Sequence, residues 1–302
     1  MRCNSSDIEF PLTLGRDFVG TVVHRGLGIK NSEYKLGDKI WGVVPVHHSG
    51  CHSEFIAIDK SFVSKKPENL SDVDASAVLY AGLTAWSGLF LTGQLGGLLS
   101  AFCPEGGGRG KKVLVLGAAG GVGSLAIQML QAECVDVVAT CGPDAIPLIQ
   151  NLGITKVIDY TSEDSDMMLV GESPYNIILD CAGKGSDYAA ALPWTFGSYI
   201  TFKSPVLKNF DDHGFVTGGL KNARDLINSN FTALNGNGTV KWGYFMPAPN
   251  GIQYLKKLAE SRKLLPIIDS VFPYDSLPAA YQKVQNGHLR GKVVVDFTKS
   301  NE

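Results

Sequence analysis

Residues 113–128 read VLVLGAAGGVGSLAIQ and join an apolar run to an amphipathic run through three glycines: Gly117, Gly120 and Gly123. The first residues are typical of a strand buried on both faces, and those after Gly120 have helical spacing. Glycine here lets the chain turn sharply, lets the backbone approach a pyrophosphate, and brings the helix close to the sheet. The helix N-terminus then faces the phosphate charge. The stretch therefore predicts a dinucleotide-binding turn, and a tight turn without a ligand is the alternative.

The alternation of strand and helix continues after this turn. Apolar runs follow at VDVVATC (135–141), KVIDY (156–160), NIILDCAG (176–183), SYITF (198–202) and TVKWGYFM (239–246). Strands that alternate with helices predict a doubly wound parallel sheet, so we expect a Rossmann domain of the α/β class. Beyond it the pattern gives helix, strand, helix, strand: GIQYLKKLAESRK (251–263), PIIDSVFP (266–273), LPAAYQKVQNG (277–287) and KVVVDF (292–297).

Residues 12–60 have a different pattern, with short strand-like runs close together. These runs are LGRDFVGTVVHRG (14–26), GDKIWGVVP (37–45) and HSEFIAID (52–59). They predict a compact β-barrel or sandwich-like unit. From Ser71 the apolar residues take helical spacing, and Ser71 or Asp72 is the expected cap.

The composition of the 302-residue chain narrows the class of partner. Hydrophobic residues make up 44% and charged residues 19%, with a formal net charge of −2 and no long basic run. This argues against nucleic acid or an anionic membrane surface as the main partner. Six cysteines without CxxC pairs indicate free thiols in a reducing compartment.

The choice of nucleotide depends on the end of the second strand of the Rossmann domain. An NAD site places an acidic residue there to hold the ribose 2′-hydroxyl. The strand ends in the neutral residues Thr140, Cys141 and Gly142, while Asp144 follows Pro143 in the first turn of a helix. No arginine stands there for a 2′-phosphate, but Tyr160 closes the next strand and can donate to one. We therefore expect NADPH rather than NADH.

Seven motifs in order resemble the quinone-oxidoreductase branch of the medium-chain dehydrogenase/reductase superfamily. They are GRDFVG (15–20), GDKIWG (37–42), AGLTAW (81–86), LGAAGGVG (116–123), GITKVIDY (153–160), LDCAG (179–183) and GHLRGKVVV (287–295). The resemblance implies a GroES-like, β-rich catalytic domain into which the Rossmann domain is inserted. The implied limits are 1–78 for the partial GroES-like domain, 79–246 for the Rossmann domain and 247–302 for the return to the catalytic domain.

The resemblance also implies a set of NADPH contacts. The phosphate loop would contribute Ala119, Gly120, Gly121, Val122 and Gly123, and the adenosine phosphate would lie near Gly142 and Tyr160. The rest of the cofactor would lie along Cys181, Gly243, Phe245, His288, Leu289 and Arg290. Gly142 and Cys181 depart from the more polar residues of related proteins, so backbone contacts would survive there and side-chain contacts would not.

Zinc is the metal to test in this superfamily. The zinc alcohol dehydrogenases carry a His-Glu pair after glycine, where this chain reads Gly15-Arg16-Asp17. Zinc needs about four correctly placed ligands. The histidines and Cys51 of segment 47–52 are spaced too tightly for a known pattern, so we expect a polar surface loop and no metal.

The resemblance implies hydride transfer from NADPH to a quinone or another conjugated carbonyl. Tyr80, Trp86 and Phe245 are candidates for an aromatic wall against a planar ring, with ordinary core packing as the alternative. No residue is assigned as the general acid. A second reading is a nucleotide-binding interaction protein that docks a reticulon-type membrane partner with little or no catalysis. A second copy of the chain, forming a homodimer, is a further candidate partner.

Family members begin many residues before GRDFVG. Here only residues 1–14, which include Cys3 to Phe10, precede this motif. We expect early strands of the GroES-like domain to be missing, and quinone reduction by this chain to be poor. The chain shows no targeting segment, so a mitochondrial location is implied by the resemblance alone.

Overall fold

The computed structural model describes residues 12–98, 107–233 and 238–299. These residues form two compact units. One unit comprises residues 84–245, and the other comprises residues 12–83 together with 246–299. The expectation about the start of the chain, and the thiols of Cys3 and Cys103, lie outside the described residues.

The first part of the discontinuous unit contains a three-stranded antiparallel sheet in the order β1-β2-β3. Its strands are β1 (Asp17–Thr21), β2 (Lys39–Val43) and β3 (Val63–Lys65). The helices α1 (Asp72–Ala75) and α2 (Leu79–Trp86) follow. Ser71 is the N-cap of α1, and its hydroxyl accepts the Asp74 N–H at 3.0 Å, so the predicted cap is confirmed.

One predicted strand of this unit is wrong. Residues 52–59 alternate between polar and apolar, yet the structure gives them no strand, and the third strand lies at Val63–Lys65 instead. Alternation makes a strand only where a backbone partner completes the ladder. Within the described residues the sheet ends at β1 and β3, and the segment containing Phe55 pairs with neither.

The continuous unit has a six-stranded parallel sheet in the order β6-β5-β4-β7-β8-β9. All six strands predicted from the apolar runs are present. The elements in chain order are β4 (Lys112–Leu116), α3 (Gly121–Ala132), β5 (Asp136–Cys141), α4 (Ile146–Asn151), β6 (Lys156–Asp159), α5 (Ser165–Gly171), β7 (Tyr175–Asp180), β8 (Phe196–Thr201), α6 (Val206–Ala233) and β9 (Thr239–Trp242). The predicted doubly wound Rossmann sheet is confirmed.

The burial of this sheet on both faces explains why its strands could be predicted from the sequence. Both faces are covered, so Leu114, Ile178 and Tyr199 are fully buried, and Trp194 closes the core beside them. Strand order reverses beside β4, with β5 and β6 on one side and β7 to β9 on the other. Ligands of open α/β sheets bind outside the carboxyl ends of the strands at such a switch point.

The chain then returns to the discontinuous unit through α7 (Pro249–Glu260), β10 (Ile268–Pro273), α8 (Leu277–Asn286) and β11 (Lys292–Asp296). Strands β10 and β11 pair in parallel. The returning segment packs on the first part of the unit. A β-carbon on Gly82 would lie 2.9 Å from Leu255 Cδ1, and Asn69 donates to the Ala259 carbonyl at 2.8 Å. Among the described helices, none is long and apolar enough to cross a bilayer.

Candidate cofactor site

The turn between β4 and α3 has the geometry that its glycines predict. Gly117 has a φ of 77°, which favours glycine, and a β-carbon on Gly123 would lie 2.3 Å from the Gly117 carbonyl oxygen. Thr140 at the end of β5 holds the turn. Its hydroxyl accepts the Gly117 N–H at 3.2 Å and its carbonyl accepts the Ala118 N–H at 2.8 Å. These two hydrogen bonds therefore fix the turn to the neighbouring strand β5.

The N-terminus of α3 fits a pyrophosphate. Gly120 is the N-cap in an extended conformation, and no side chain caps the helix. The amides of the first helical turn have no intrahelical acceptors, and the helix dipole favours an anion there. Gly121 and Val122 are half-buried, so this end of the helix is not closed over by the unit. The predicted loop residues Ala119 to Gly123 thus converge on one backbone cradle.

The ends of β5 and β6 bring Gly142 and Tyr160 to the same edge of the sheet. The Tyr160 N–H donates to the Cys141 carbonyl at 3.2 Å, and half of the Tyr160 residue is exposed. Gly142 precedes a short 3-10 helix in which Asp144 is exposed in the first turn. The Asp159 carboxylate accepts from the amide and hydroxyl of Thr161. No acid stands at the carboxyl end of β5 itself.

The loop after β7 borders the same turn. The Cys181 N–H donates to the Leu116 carbonyl at 3.0 Å, and a β-carbon on Gly117 would lie 3.0 Å from the Ala182 nitrogen. Burial, with Asp180 as a second cause, raises the pKa of the Cys181 thiol. The thiol is therefore neutral near pH 7.

Asp180 is a residue that sequence reasoning missed. Its fully buried carboxylate accepts the amides of Lys184 and Gly185 at 3.0 and 2.8 Å and the Thr201 hydroxyl at 2.7 Å. These bonds fix the loop that carries Cys181. The signal available was an acid directly after an apolar strand, followed by Gly183 and Gly185, which both have positive φ. The role of Thr140 in holding the glycine turn was also not predicted.

Gly243 and Phe245 follow the edge strand β9. The Gly243 N–H donates to the Thr201 carbonyl at 2.9 Å, and a β-carbon on Gly243 would lie 2.7 Å from Phe202 Cε1. The close packing of the Phe202 ring thus favours glycine at this position. Phe245 is half-buried. Trp86 is 2% exposed, which favours ordinary core packing over a wall for a bound ring.

His288, Leu289 and Arg290 belong to the other unit, in the loop between α8 and β11. Gly287 and His288 have positive φ values of 73° and 55°, and the Arg290 N–H donates to Asp269 Oδ2 at 3.0 Å. The loop therefore has a defined shape. Tyr80 lies in this unit as well, and burial raises the pKa of its hydroxyl.

Arg16 makes carbonyl contacts at the position where the zinc enzymes have their histidine. Its guanidinium donates to the carbonyls of Pro45 and His48, each at 2.8 Å. Burial and the Asp17 charge raise the pKa of Cys51 to about 12, and its thiol donates to the Asp17 carbonyl. The Cys51 thiol is therefore protonated near neutral pH. Across the described ranges, no group of three His, Cys, Asp or Glu residues could hold a metal ion.

Comparison with known proteins places this geometry in a family. Residues 152–295 match the family model described as zinc-binding dehydrogenase. The chain is 49% identical to the Drosophila melanogaster protein named "NAD(P)H oxidoreductase RTN4IP1, mitochondrial" over 298 residues, which are 98% of this chain and 71% of the relative. The chain belongs to the RTN4IP1 family of NAD(P)H oxidoreductases.

Two further likenesses agree with membership of the RTN4IP1 family. The Caenorhabditis elegans protein named "Reticulon-4-interacting protein 1, mitochondrial" is 32% identical, covering 98% of this chain and 78% of the relative. The solved quinone oxidoreductase from Coxiella burnetii is 25% identical with a TM-score of 0.73, covering 94% of this chain and 79% of that one. The family lies in the quinone-oxidoreductase branch of the medium-chain superfamily, with its Rossmann plus GroES-like architecture, so the resemblance read from the motifs is confirmed. The chain is an NAD(P)H-dependent oxidoreductase.

Proposed function

We propose that the chain transfers hydride from NADPH to a quinone or a similar conjugated carbonyl, without zinc, in mitochondria. The observation that carries the cofactor part is the uncapped N-terminus of α3 behind a glycine turn, beside a β5 end that has no acid. A dinucleotide pyrophosphate fits that cradle, and a 2′-phosphate meets no carboxylate at Gly142. The name of the Drosophila relative supports the mitochondrial location, and the name of the Coxiella protein supports a quinone as the hydride acceptor.

The bound nicotinamide would supply the hydride, and the chain's own groups would position it. Backbone amides of Ala119, Gly121 and Val122 would bind the pyrophosphate, while Gly142 and Tyr160 would lie at the adenosine phosphate. Cys181, Gly243 and Phe245 would follow along the cofactor within the same unit. His288, Leu289 and Arg290 stay predictions that come from the family resemblance. A quinone spreads the incoming charge over conjugated oxygen, so a strong acid is not required.

The proposed zinc independence rests on Arg16. A guanidinium cannot bind a cation, and the Arg16 guanidinium already donates to the carbonyls of Pro45 and His48.

The test is NADPH oxidation by the purified chain with a panel of simple quinones, together with elemental analysis of protein made without an affinity tag. We expect quinone-dependent oxidation and less than about 0.1 zinc per chain. Binding of NADPH without turnover on any quinone would overturn the activity. One zinc per chain that is lost in Cys51→Ala would overturn the zinc-free assignment.

A second candidate is an interaction protein that binds the nucleotide and docks a reticulon-type membrane protein. The name of the Caenorhabditis relative favours it. Titration of the chain against a purified reticulon domain, with and without NADPH, separates the two. Saturable reticulon binding together with absent quinone turnover would replace the enzyme by the interaction protein.

A further inference from the structure

Trp86 carries a buried hydrogen-bond donor that has no partner. The residue is 2% exposed, and its indole Nε1–H meets no acceptor among the residues that the structure describes. The buried indole nitrogens of Trp41 and Trp194 are both bonded, to the Ser64 hydroxyl at 2.6 Å and to the Ala189 carbonyl at 2.9 Å. A buried donor without an acceptor is destabilising, so such a group in a native fold needs an explanation.

Tyr199 holds the other buried polar atom without a hydrogen bond in the described part of the chain. Burial and the nearby charge of Asp180 raise the pKa of its hydroxyl. A strong acceptor therefore lies close to the Tyr199 hydroxyl within the fold. The Trp86 N–H is the donor that remains to be explained.

The π-helix Ser87–Thr92 runs antiparallel to strand β7. A β-carbon on Gly93, just after this helix, would lie 2.8 Å from Ile177 Cδ1. A β-carbon on Gly88, near its start, would lie 3.0 Å from Leu179 Cδ1, which is further along the strand. The start of the π-helix therefore lies toward the carboxyl end of β7, the edge of the sheet that carries the cofactor cradle. Helical turns of this kind are frequent at functional sites.

The start of the π-helix also contacts the residues that follow β8 and β9. The Ser87 hydroxyl donates to the carbonyl of Tyr244, which lies two residues beyond the end of β9. The Phe202 ring, just after β8, reaches two glycines: a β-carbon on Gly88 would lie 2.8 Å from its Cζ, and one on Gly243 would lie 2.7 Å from its Cε1. The unpartnered indole belongs to the residue before Ser87. It therefore lies at the carboxyl edge of the sheet, near the proposed path of the cofactor at Gly243.

The nicotinamide half of a dinucleotide would reach this part of the edge. A dinucleotide binds across the point where strand order reverses, so its two halves lie on opposite sides of β4. The adenosine phosphate is proposed at Gly142 and Tyr160, on the side of β5 and β6. The nicotinamide half then extends toward β7 to β9, where Trp86 lies.

The chemistry of the indole selects the group that it would bind. An indole N–H is a donor only, so it needs an acceptor. A ribose offers several hydroxyls that each need a partner, whereas Leu179 and Phe202 make the surroundings of Gly88 apolar. A flat nicotinamide ring, with a single carboxamide, suits such a place better than a sugar. Its carboxamide oxygen is the acceptor that fits.

We propose that the Trp86 Nε1–H donates to the carboxamide oxygen of the bound nicotinamide and fixes the orientation of the ring, an inference that rests on the proposed function. The indole keeps its proton, and no bond forms or breaks at this residue. Because Nε1 is buried in the free chain, neighbouring side chains must shift as the ring enters. Tyr244, bonded through its carbonyl to Ser87, is 42% exposed and is the side chain that we expect to move.

Replacing Trp86 by β-(3-benzothienyl)alanine tests the donor and keeps the shape, because sulfur takes the place of the N–H in the same bicyclic ring. The affinity for NADPH, measured by isothermal titration calorimetry, should fall by about 5- to 20-fold. The affinity for 2′-phospho-ADP-ribose, which has the ribose and lacks the nicotinamide, should not change. The 3-acetylpyridine analogue of NADPH keeps the oxygen and lacks the amide nitrogen, so it should show the same loss as NADPH.

Trp194 provides the matched control. It is fully buried in the same unit, and its indole N–H is already bonded to the Ala189 carbonyl. The same replacement at Trp194 should lower the melting temperature, because it leaves that carbonyl without its donor, and NADPH affinity should stay at the wild-type value. The replacement at Trp86 should not lower the melting temperature of the cofactor-free chain, because no hydrogen bond is lost there.

Equal NADPH affinity in the wild-type chain and in the chain replaced at Trp86 would overturn the inference. An equal loss of affinity for NADPH and for 2′-phospho-ADP-ribose would place the bond away from the carboxamide and would also overturn it. A lower melting temperature of the cofactor-free chain would show that the Trp86 N–H has a partner inside the fold, with the same consequence. A wild-type chain that binds no nicotinamide dinucleotide would overturn the proposed function as well, so the two failures are distinguishable.

Discussion

Lys292 Nζ lies 3.1 Å from Asp17 Oδ2, and this ion pair joins β11 to β1 across 275 residues of the chain. Both side chains are mostly buried. The other oxygen of Asp17 accepts the Tyr80 N–H. Burial raises the pKa of Asp17, while Lys292 and the Tyr80 amide oppose that rise. The carboxylate therefore depends on its partners to stay charged inside the unit.

Lys292→Met should destabilise the discontinuous unit by about 3 kcal/mol near neutral pH, because it leaves a buried carboxylate without its cation. Losing Lys292 raises the folded-state pKa of Asp17 further above its unfolded value. The folded chain then binds a proton more readily than the unfolded chain, so its stability falls as pH rises through that pKa. Denaturant unfolding should show a larger loss at pH 8 than at pH 5. Adding Asp17→Asn should recover part of the loss, and an equal loss at both pH values would contradict the account.

Thr140→Val should weaken dinucleotide binding by about 3- to 10-fold, in line with the loss of one hydrogen bond. The change keeps the volume of the side chain and removes the oxygen that accepts the Gly117 N–H. Fluorescence titration with NADPH measures the effect. Thr140→Ser retains the oxygen and should bind like wild type. Equal affinity in all three chains would show that the turn holds its shape without this bond.

The sheet was predictable because strands buried on both faces read as unbroken apolar runs, as at residues 113–116. Helix α6 was not predicted because its pattern is reversed. Asn209 and Asn222 face inward, while Leu220 and Phe231 face outward. The inward-facing apolar stripe by which a helix is usually predicted is therefore absent from this segment.

The phosphate turn was predictable because glycine spacing between a strand and a helix is a local signal. The roles of Thr140 and Asp180 depend on partners that lie far along the chain, Gly117 for one and Thr201 for the other. No spacing rule encodes such pairs. The false strand at residues 52–59 has the same origin, since pairing partners are not local.

Gly121→Val should abolish binding of both NADPH and NADH. Residue 121 begins α3 at the uncapped end, where a branched side chain would occupy the path of the pyrophosphate. Gly171→Val at the end of α5 is the matched control, because a β-carbon there meets nothing within 4 Å. Isothermal titration calorimetry of the wild-type chain and the two variants with NADPH and with NADH measures the effect. Undiminished binding by the Gly121 variant would mean that the phosphates do not lie over this turn.

The preference for NADPH over NADH should reverse in Gly142→Asp. Gly142 has φ −74° and ψ 160° and precedes a short helix, so aspartate fits both its conformation and its position as a cap. The new carboxylate would stand at the end of β5, where it repels a 2′-phosphate and can accept from a free ribose 2′-hydroxyl. We expect NADPH affinity to fall at least about 10-fold and NADH affinity to rise or hold, which corresponds to about 1.4 kcal/mol or more. Gly142→Asn has the same shape without the charge and should keep the wild-type preference. If wild type binds both cofactors equally, or if the aspartate and asparagine variants behave alike, charge at the end of β5 does not select the cofactor.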